Sequence, residues 1–204
     1  MKYADNIKSA GELLPDYMGF IFYLGSSRYA GREMNVEAVK SLPSSIRKVG
    51  VFVNPERMEV IHRIARYRLD MVQLHGNESP EFCEQIRLYT PVIKAFGVDE
   101  KFDFAETNEY SKVCERFIFD TKSPGHGGSG KSFNWDQLAQ YKGRTPFLLS
   151  GGIGLLHAKA VPTLMQKNPK LEGIDVNSHF EIEPGLKSID KLKKLTHLLR
   201  VEMQ

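Results

Sequence analysis

Seven short runs of apolar, β-branched or aromatic residues punctuate the chain, at 17–22 (YMGFIF), 48–53 (KVGVFV), 71–74 (MVQL), 92–96 (VIKAF), 116–119 (RFIF), 146–149 (PFLL) and 173–176 (GIDV). Most lack a polar face, which predicts parallel strands covered on both sides. Between them, apolar residues recur at helical spacing over 36–42, 55–67, 80–89, 102–112, 135–141, 155–166 and 189–201. Pro55 and Pro80 fall in first turns, where a helix tolerates proline, behind Asn54 and Ser79 as N-caps. An eighth stripe, Ile7, Ala10, Leu13 and Leu14, predicts a helix over 4–14 with no strand before it.

Each connection is long enough for a right-handed helical crossover, so the repeat admits a closed barrel or an open doubly wound sheet. An open sheet would usually carry a glycine-rich dinucleotide fingerprint after its first strand, and YMGFIFYLGSSRY is not one. The expected fold is therefore a single α/β domain over 1–204, a TIM (βα)8-type barrel lacking its first β-strand, with seven parallel strands and eight helices.

Composition narrows the function. With 28 Lys+Arg against 25 Asp+Glu, the net charge of +3 gives no electrostatic footprint for nucleic acid or a membrane surface. No apolar run approaches the ~18 residues of a membrane span, and MKYADNIKSAG lacks the apolar segment of a signal peptide. Cys83 and Cys114 form neither a disulfide framework nor a metal spacing, which suits a reducing cytoplasm.

In a βα barrel the chemistry sits where strands end and loops lead into helices. Asp120 follows three apolar residues, which predicts a barrel-mouth carboxyl only partly in contact with water. Such a carboxyl holds its proton more readily and can act as a general acid; a loop cap is the plainer role. Arg28 can grip a carboxylate or phosphate with two N–H groups, although a solvated surface arginine is the ordinary alternative. Gly151-Gly152 offers unhindered backbone N–H groups ahead of a helix, after the last strand but one, where such barrels often bind phosphate.

Gly125–Ser132 (GHGGSGKS) matches the nucleotide phosphate loop literally. That loop leaves its strand directly and opens a helix at its Lys-Ser pair. Here TKSP intervenes, and Phe133-Asn134-Trp135 reads as a fresh cap and helix start, so a lid over a substrate phosphate fits better. His75 is a pocket or structural histidine. Cys83 reads as helix packing, and Cys114 lies at the wrong end of the barrel. Lys187, Lys191, Lys193 and Lys194 read as a solvated face over Ile189, Leu192, Leu195, Leu198 and Leu199. No His/Cys/Asp cluster has metal spacing.

Together the strand-end residues form a recognisable set. They are Gly19-Phe20-Ile21-Phe22 with Ser27-Arg28-Tyr29; Val49-Gly50-Val51-Phe52-Val53-Asn54; Val72-Gln73-Leu74-His75-Gly76; and Val92-Ile93-Lys94-Ala95. They continue through Asp120-Thr121-Lys122, Gly127-Gly128-Ser129-Gly130-Lys131, Phe133-Asn134-Trp135, Ser150-Gly151-Gly152, Asp175-Val176-Asn177-Ser178 and Pro184-Gly185. In order and spacing the chain resembles the phosphoribosylanthranilate isomerases of tryptophan biosynthesis over nearly its whole length.

The resemblance implies a (βα)8 barrel that performs an Amadori rearrangement on N-(5-phosphoribosyl)anthranilate without metal or organic cofactor. It implies Asp120 as the general acid at the ribose ring oxygen, Arg28 at the anthranilate carboxylate and Asp175 at the pocket floor. Gly128, Gly130, Gly152 and Ser178 would surround the phosphate. The partner is then a small phosphorylated substrate, and the protein a monomer or homodimer whose exposed strand edges favour self-association.

Two positions depart from the family pattern. Asp175-Val176-Asn177-Ser178-His179-Phe180-Glu181 stands where D-V-S-S-G-V-E is usual, with His179 replacing a glycine. Family members also open on a strand ending like K-[IV]-C-G, whose cysteine removes the C2 proton, and Met1 lies where that motif would just have ended. The expectation is therefore an N-terminally shortened isomerase with little activity, rather than a degenerate phosphate-binding barrel or a nucleotide triphosphatase.

Overall fold

A computed structural model describes residues 1–31, 34–122 and 133–202. Its centre is one sheet of seven parallel strands in sequential order: β1 (Tyr17–Ile21), β2 (Arg47–Phe52), β3 (Met71–Leu74), β4 (Val92–Val98), β5 (Arg116–Thr121), β6 (Phe147–Leu149) and β7 (Leu171–Ile174). Strictly sequential parallel order with a helical crossover after each strand makes the sheet curl toward a barrel. The outer layer is α1 (Ala4–Gly11), α2 (Val36–Lys40), α3 (Arg57–Tyr67), α4 (Pro80–Arg87), α5 (Ala160–Lys167) and α6 (Ile189–Glu202), with 3₁₀ segments at Phe104–Tyr110, Trp135–Gln140 and Leu155–His157. Among the described residues, no helix is long and apolar enough to cross a membrane.

Alternation along each strand divides the core in two. Val49, Met71, Ile93, Ala95, Ile118 and Leu148 point inward and fill the barrel floor. Their neighbours Phe52, Val72, Leu74, Phe117, Phe119 and Phe147 point outward against the helices. Phe119 and Phe147 meet with ring centroids 4.8 Å apart, and Tyr141 packs edge-on against both. Each such side chain contributes about 1.5–3 kcal/mol through burial. Because Phe117 and Phe119 face out, Ile118 and then Asp120 must face in.

The strand and helix expectations hold in number and order, with four local corrections. Asn54 is not a cap: it takes a left-handed φ of 46°, and Glu56 occupies the N-cap position of α3 without a side-chain capping bond, which leaves Pro55 outside the helix. Ser79 does cap α4, accepting the Phe82 N–H. The stretches at 102–112 and 135–141 form 3₁₀ rather than α-helix, capped by Asp103 and Asn134. The stretch at 155–166 is split, because Pro162 lacks an N–H and fits only the first turn of α5.

A hairpin of β8 (Glu181–Glu183) and β9 (Leu186–Lys187) was not expected. Pro184-Gly185 turns it, with Gly185 at a φ of 91° that suits glycine. Its effect is to fold Lys187 inward. Lys187 is buried and belongs to β9, not to the solvated face of the last helix; there Leu195, with Leu192, Leu198 and Leu199, packs on Ala158 and Phe180.

Among the described residues, β1 and β7 each have one ladder neighbour, so the sheet is a curled half-barrel with two open edges. The helical layer behaves differently: α1 touches both α6 and β9, closing the outer ring across the gap. At the edge of β1 the Met1 amino group donates to the Gly19 carbonyl at 3.3 Å.

Candidate active site

The inward alternation that fills the floor with aliphatic groups brings polar groups to the mouth one residue pair later. Gln73 and His75 from β3, Asp120 from β5, Ser150 after β6 and Asp175 after β7 all line a cavity of about 530 Å³. Arg28, Gly152, Asn177, Ser178 and Lys187 line it too. Arg28, Asp120, Gly152, Asp175 and Ser178 were all expected at the site, and the fold brings them to one cavity. Gly128 and Gly130, expected at the phosphate, lie outside the described residues, as does the whole GHGGSGKS segment. Beyond it a helical segment begins at Trp135, where the Asn134 side chain accepts the Asp136 N–H.

Asp120 is held at both oxygens. Its Oδ1 accepts the Thr121 N–H at 2.8 Å, and His75 Nε2 lies 3.3 Å from Oδ2. Thr121 is itself tied, its hydroxyl oxygen accepting the Phe133 N–H at 3.1 Å. Asp175 is deeper. The Ser150 hydroxyl donates to its Oδ2 at 3.0 Å. Burial pushes the Asp175 carboxyl above its usual range, with the Asp120 charge adding to the rise and the Ser150 bond opposing it.

Gly151 explains how closely β5 and β6 meet here. It has a φ of 89°, and a Cβ on it would lie 2.2 Å from Thr121 Oγ1 and 2.8 Å from Asp120 Oδ1. Gly151→Ala is expected to displace Asp120 and to destabilise the fold by at least about 1–2 kcal/mol from the left-handed backbone alone. A denaturant midpoint equal to that of the parent chain would contradict this.

Gly152, at a φ of 63°, presents backbone to the cavity as expected. The helix start behind it does not match expectation. A three-residue 3₁₀ turn follows and α5 begins only at Ala160, so a helix macrodipole adds little at this position. His179, the departure from the family pattern, packs over the neighbouring loop, its Cγ 3.6 Å from where a Gly154 Cβ would stand.

Arg28 does not stand free. Its Nε and Nη2 both reach Glu181 Oε2 at 2.8 Å, and Glu181 Oε1 accepts from Lys187 Nζ at 3.1 Å and the Gly185 N–H at 3.0 Å. Burial opposes the Glu181 charge, but Arg28, Lys187 and the Gly185 N–H outweigh it and hold the carboxyl below its usual range. Burial lowers the Lys187 ammonium, with Glu181 and Asp175 pulling the other way. Sequence reasoning missed Glu181 and Lys187 as site residues; the only signal was the Pro184-Gly185 turn, which returns the chain to the mouth.

A family model for N-(5'phosphoribosyl)anthranilate (PRA) isomerase matches residues 2–197. The chain belongs to the phosphoribosylanthranilate isomerase family. It is 48% identical over 196 residues to the N-(5'-phosphoribosyl)anthranilate isomerase of Parabacteroides distasonis, covering 95% of this chain and 87% of that one. With the Phocaeicola vulgatus enzyme of the same name it shares 37% identity over 100% of this chain and 97% of the relative.

Among solved structures, the phosphoribosyl anthranilate isomerase of Thermotoga maritima superposes with a TM-score of 0.84 at 30% identity, over 98% of this chain and 96% of that one. A family structure holding reduced 1-(o-carboxyphenylamino)-1-deoxyribulose 5-phosphate gives 0.80 at 27% identity, over 98% and 95%. The family places the chain among isomerases of tryptophan biosynthesis with a TIM-like barrel. Coverage this complete lends no support to the expected shortening.

Proposed function

We propose that the chain converts N-(5-phosphoribosyl)anthranilate to 1-(2-carboxyphenylamino)-1-deoxyribulose 5-phosphate. The single observation that carries the reading is that an acid candidate, a cation and phosphate-sized backbone groups line one cavity: Asp120, Arg28, and Gly152 with Ser178. Asp120 gives its proton to the ribose ring oxygen as the C1–O bond breaks, and the nitrogen lone pair closes C1=N. Loss of the C2 proton then returns electrons to nitrogen, and the resulting enol becomes the ketone. Arg28 holds the anthranilate carboxylate with the donors that Glu181 leaves over, Asp175 forms the floor, and Gly152 and Ser178 take the phosphate together with Gly128 and Gly130.

The acceptor for the C2 proton is the weak part of this arrangement. Cys83 and Cys114 are buried in α4 and ahead of β5 and do not line the cavity. The resemblance implies a cysteine as that acceptor, on a strand ahead of the first helix.

Binding and turnover are separable tests. The reduced product analogue should bind the parent chain, and Arg28→Met should weaken it by roughly 10–100-fold, the worth of a lost charge-assisted pair. Turnover, followed through the fluorescence of the anthranilate group, should disappear in Asp120→Asn. No binding of the analogue would overturn the proposal. Binding without any turnover would identify a barrel that holds the phosphorylated ligand and does not transform it.

A further inference from the structure

Asp120 and His75 stand two strands apart, on β5 and at the end of β3, with β4 between them. They meet because the inward positions of β4 at this height are Ala95 and Gly97, which pair with Ile118 and Asp120 and carry almost no side chain. His75 therefore leans across β4 until Nε2 is 3.3 Å from Asp120 Oδ2. Its other nitrogen, Nδ1, lies 2.9 Å from Gln73 Nε2, one strand pleat below on the same inward face. An amide N–H can only donate, so Nδ1 must accept, and the ring proton is forced onto Nε2, toward the carboxylate. Gln73 is buried, and the His75 backbone N–H is fixed on the Phe52 carbonyl at 2.8 Å, so neither group is free to wander.

We infer that Gln73 and His75 are positioning residues for the isomerase reaction: Gln73 fixes the His75 tautomer, and the His75 Nε2–H holds Asp120 and receives the negative charge left when Asp120 gives up its proton. This rests on the reading of Asp120 as the acid. Donation by Asp120 creates a carboxylate where a neutral group stood, in a cavity largely shielded from water. A donor 3.3 Å from Oδ2, beside the Thr121 N–H already bonded to Oδ1, stabilises that charge once the Nε2–H turns onto the oxygen. Two neighbouring cations among the described residues are engaged elsewhere. Lys122, next along from β5, is paired with Asp99 at 2.7 Å, and Lys187 is committed to Asn177 and Glu181.

The test is imidazole ¹⁵N spectroscopy on the labelled full chain at about pH 8, where an ordinary imidazole is neutral. The His75 signals, identified by their loss in His75→Gln, should show Nδ1 bare and Nε2 protonated. Gln73→Leu should mix the two tautomers, and Asp120→Asn should shift the Nε2 proton. In turnover, His75→Leu should lose roughly 10–100-fold in kcat with KM changed less than about twofold, and His75→Gln, which retains an N–H donor, should recover part of the loss.

An Nδ1–H tautomer in the parent chain, or a His75→Leu enzyme turning over within about twofold of the parent, would overturn the inference. If His75→Leu fails to fold, Gln73→Leu decides the matter, because an unchanged tautomer there is equally fatal. The expected tautomer together with analogue binding but no turnover in any variant would count against Asp120 as the acid and leave the Gln73–His75 geometry standing.

Discussion

An extended segment ending in Cys-Gly, added ahead of Met1 so that it pairs with β1, is expected to raise the unfolding midpoint and, if its thiol accepts the C2 proton, to speed turnover by about 10²–10⁴-fold, the usual worth of a positioned proton acceptor. The structure has room for such a segment. β1 and β7 present open edges, and the cavity wall between them is formed by Met18, Ile21, Ile174 and Val176. The outer layer needs no rearrangement, since α1 already meets α6 and β9 across the gap. At that edge the Met1 nitrogen bonds the Gly19 carbonyl of β1, and the Met1 side chain is buried.

A strand arriving there would satisfy two rows of backbone groups and remove two edges open to mispairing. Its last residues would reach the mouth that holds Asp120. The control is the same segment with Ser in place of Cys. It should raise the unfolding midpoint as much as the cysteine form does and leave turnover near that of the parent chain. Equal turnover from the two segments would show that the gain is structural and that the base is elsewhere; no gain from either would remove the cysteine from the argument.

Lys94→Met is expected to cost about 3–5 kcal/mol of stability, the penalty for breaking a buried ion pair by removing one partner. The Lys94 and Glu78 side chains are only 3% and 2% exposed, with Nζ 3.1 Å from Oε2. The same ammonium donates to the carbonyls of Gly76 at 2.7 Å, Ala95 at 3.1 Å and Leu74 at 3.3 Å. Glu78 in turn accepts the N–H groups of Asn54 at 2.8 Å and Gly76 at 2.9 Å. One outward-facing pair thus ties the loops after β2 and β3 to β4, and the loop after β3 begins at His75.

Without Lys94 the Glu78 charge stays buried beside carbonyls that have lost a donor. For a chain of this length the melting temperature should fall by roughly 6–20 °C. Adding Glu78→Gln to Lys94→Met should recover part of the loss, because the stranded charge is gone while the carbonyls still lack their donor. A single variant within about 1 kcal/mol of the parent, or a double variant no better than the single, would refute this account.

The cavity positions of Asp120 and Asp175 were legible for a simple reason. In a parallel strand covered on both faces, the first polar residue after an apolar run sits at the strand end, as Asp120 does after Phe117-Ile118-Phe119 and Asp175 after Gly173-Ile174. Glycines that must approach other backbone are equally plain, and Gly151 meets Thr121 as such a residue should. The network around these residues was not legible. Lys94 looks like an interruption in an apolar strand, and its partner Glu78 is 16 residues earlier in a loop. Glu181 and Lys187 look like surface charges and become site residues only when the hairpin at Gly185 turns them inward. The 3₁₀ segments were misread as α-helix because the two share an apolar stripe over one or two turns and differ only in which carbonyl each N–H reaches.

By itself the sequence determined the seven-strand order, the helix that precedes the first strand, the family, and the strand-end positions that bring Asp120, Arg28, Asp175, Gly152 and Ser178 to one cavity. Those are properties of periodicity and of strand-end position, which are local. Only the tertiary structure decided which nitrogen of His75 faces Asp120, which carboxylate occupies Arg28, where Lys187 lies, and that the helical ring closes while the sheet stays open. Each of these depends on groups far apart in the chain meeting at about 3 Å, a distance set by strand register, by the small residues of β4 and by one left-handed glycine, and no local pattern encodes it.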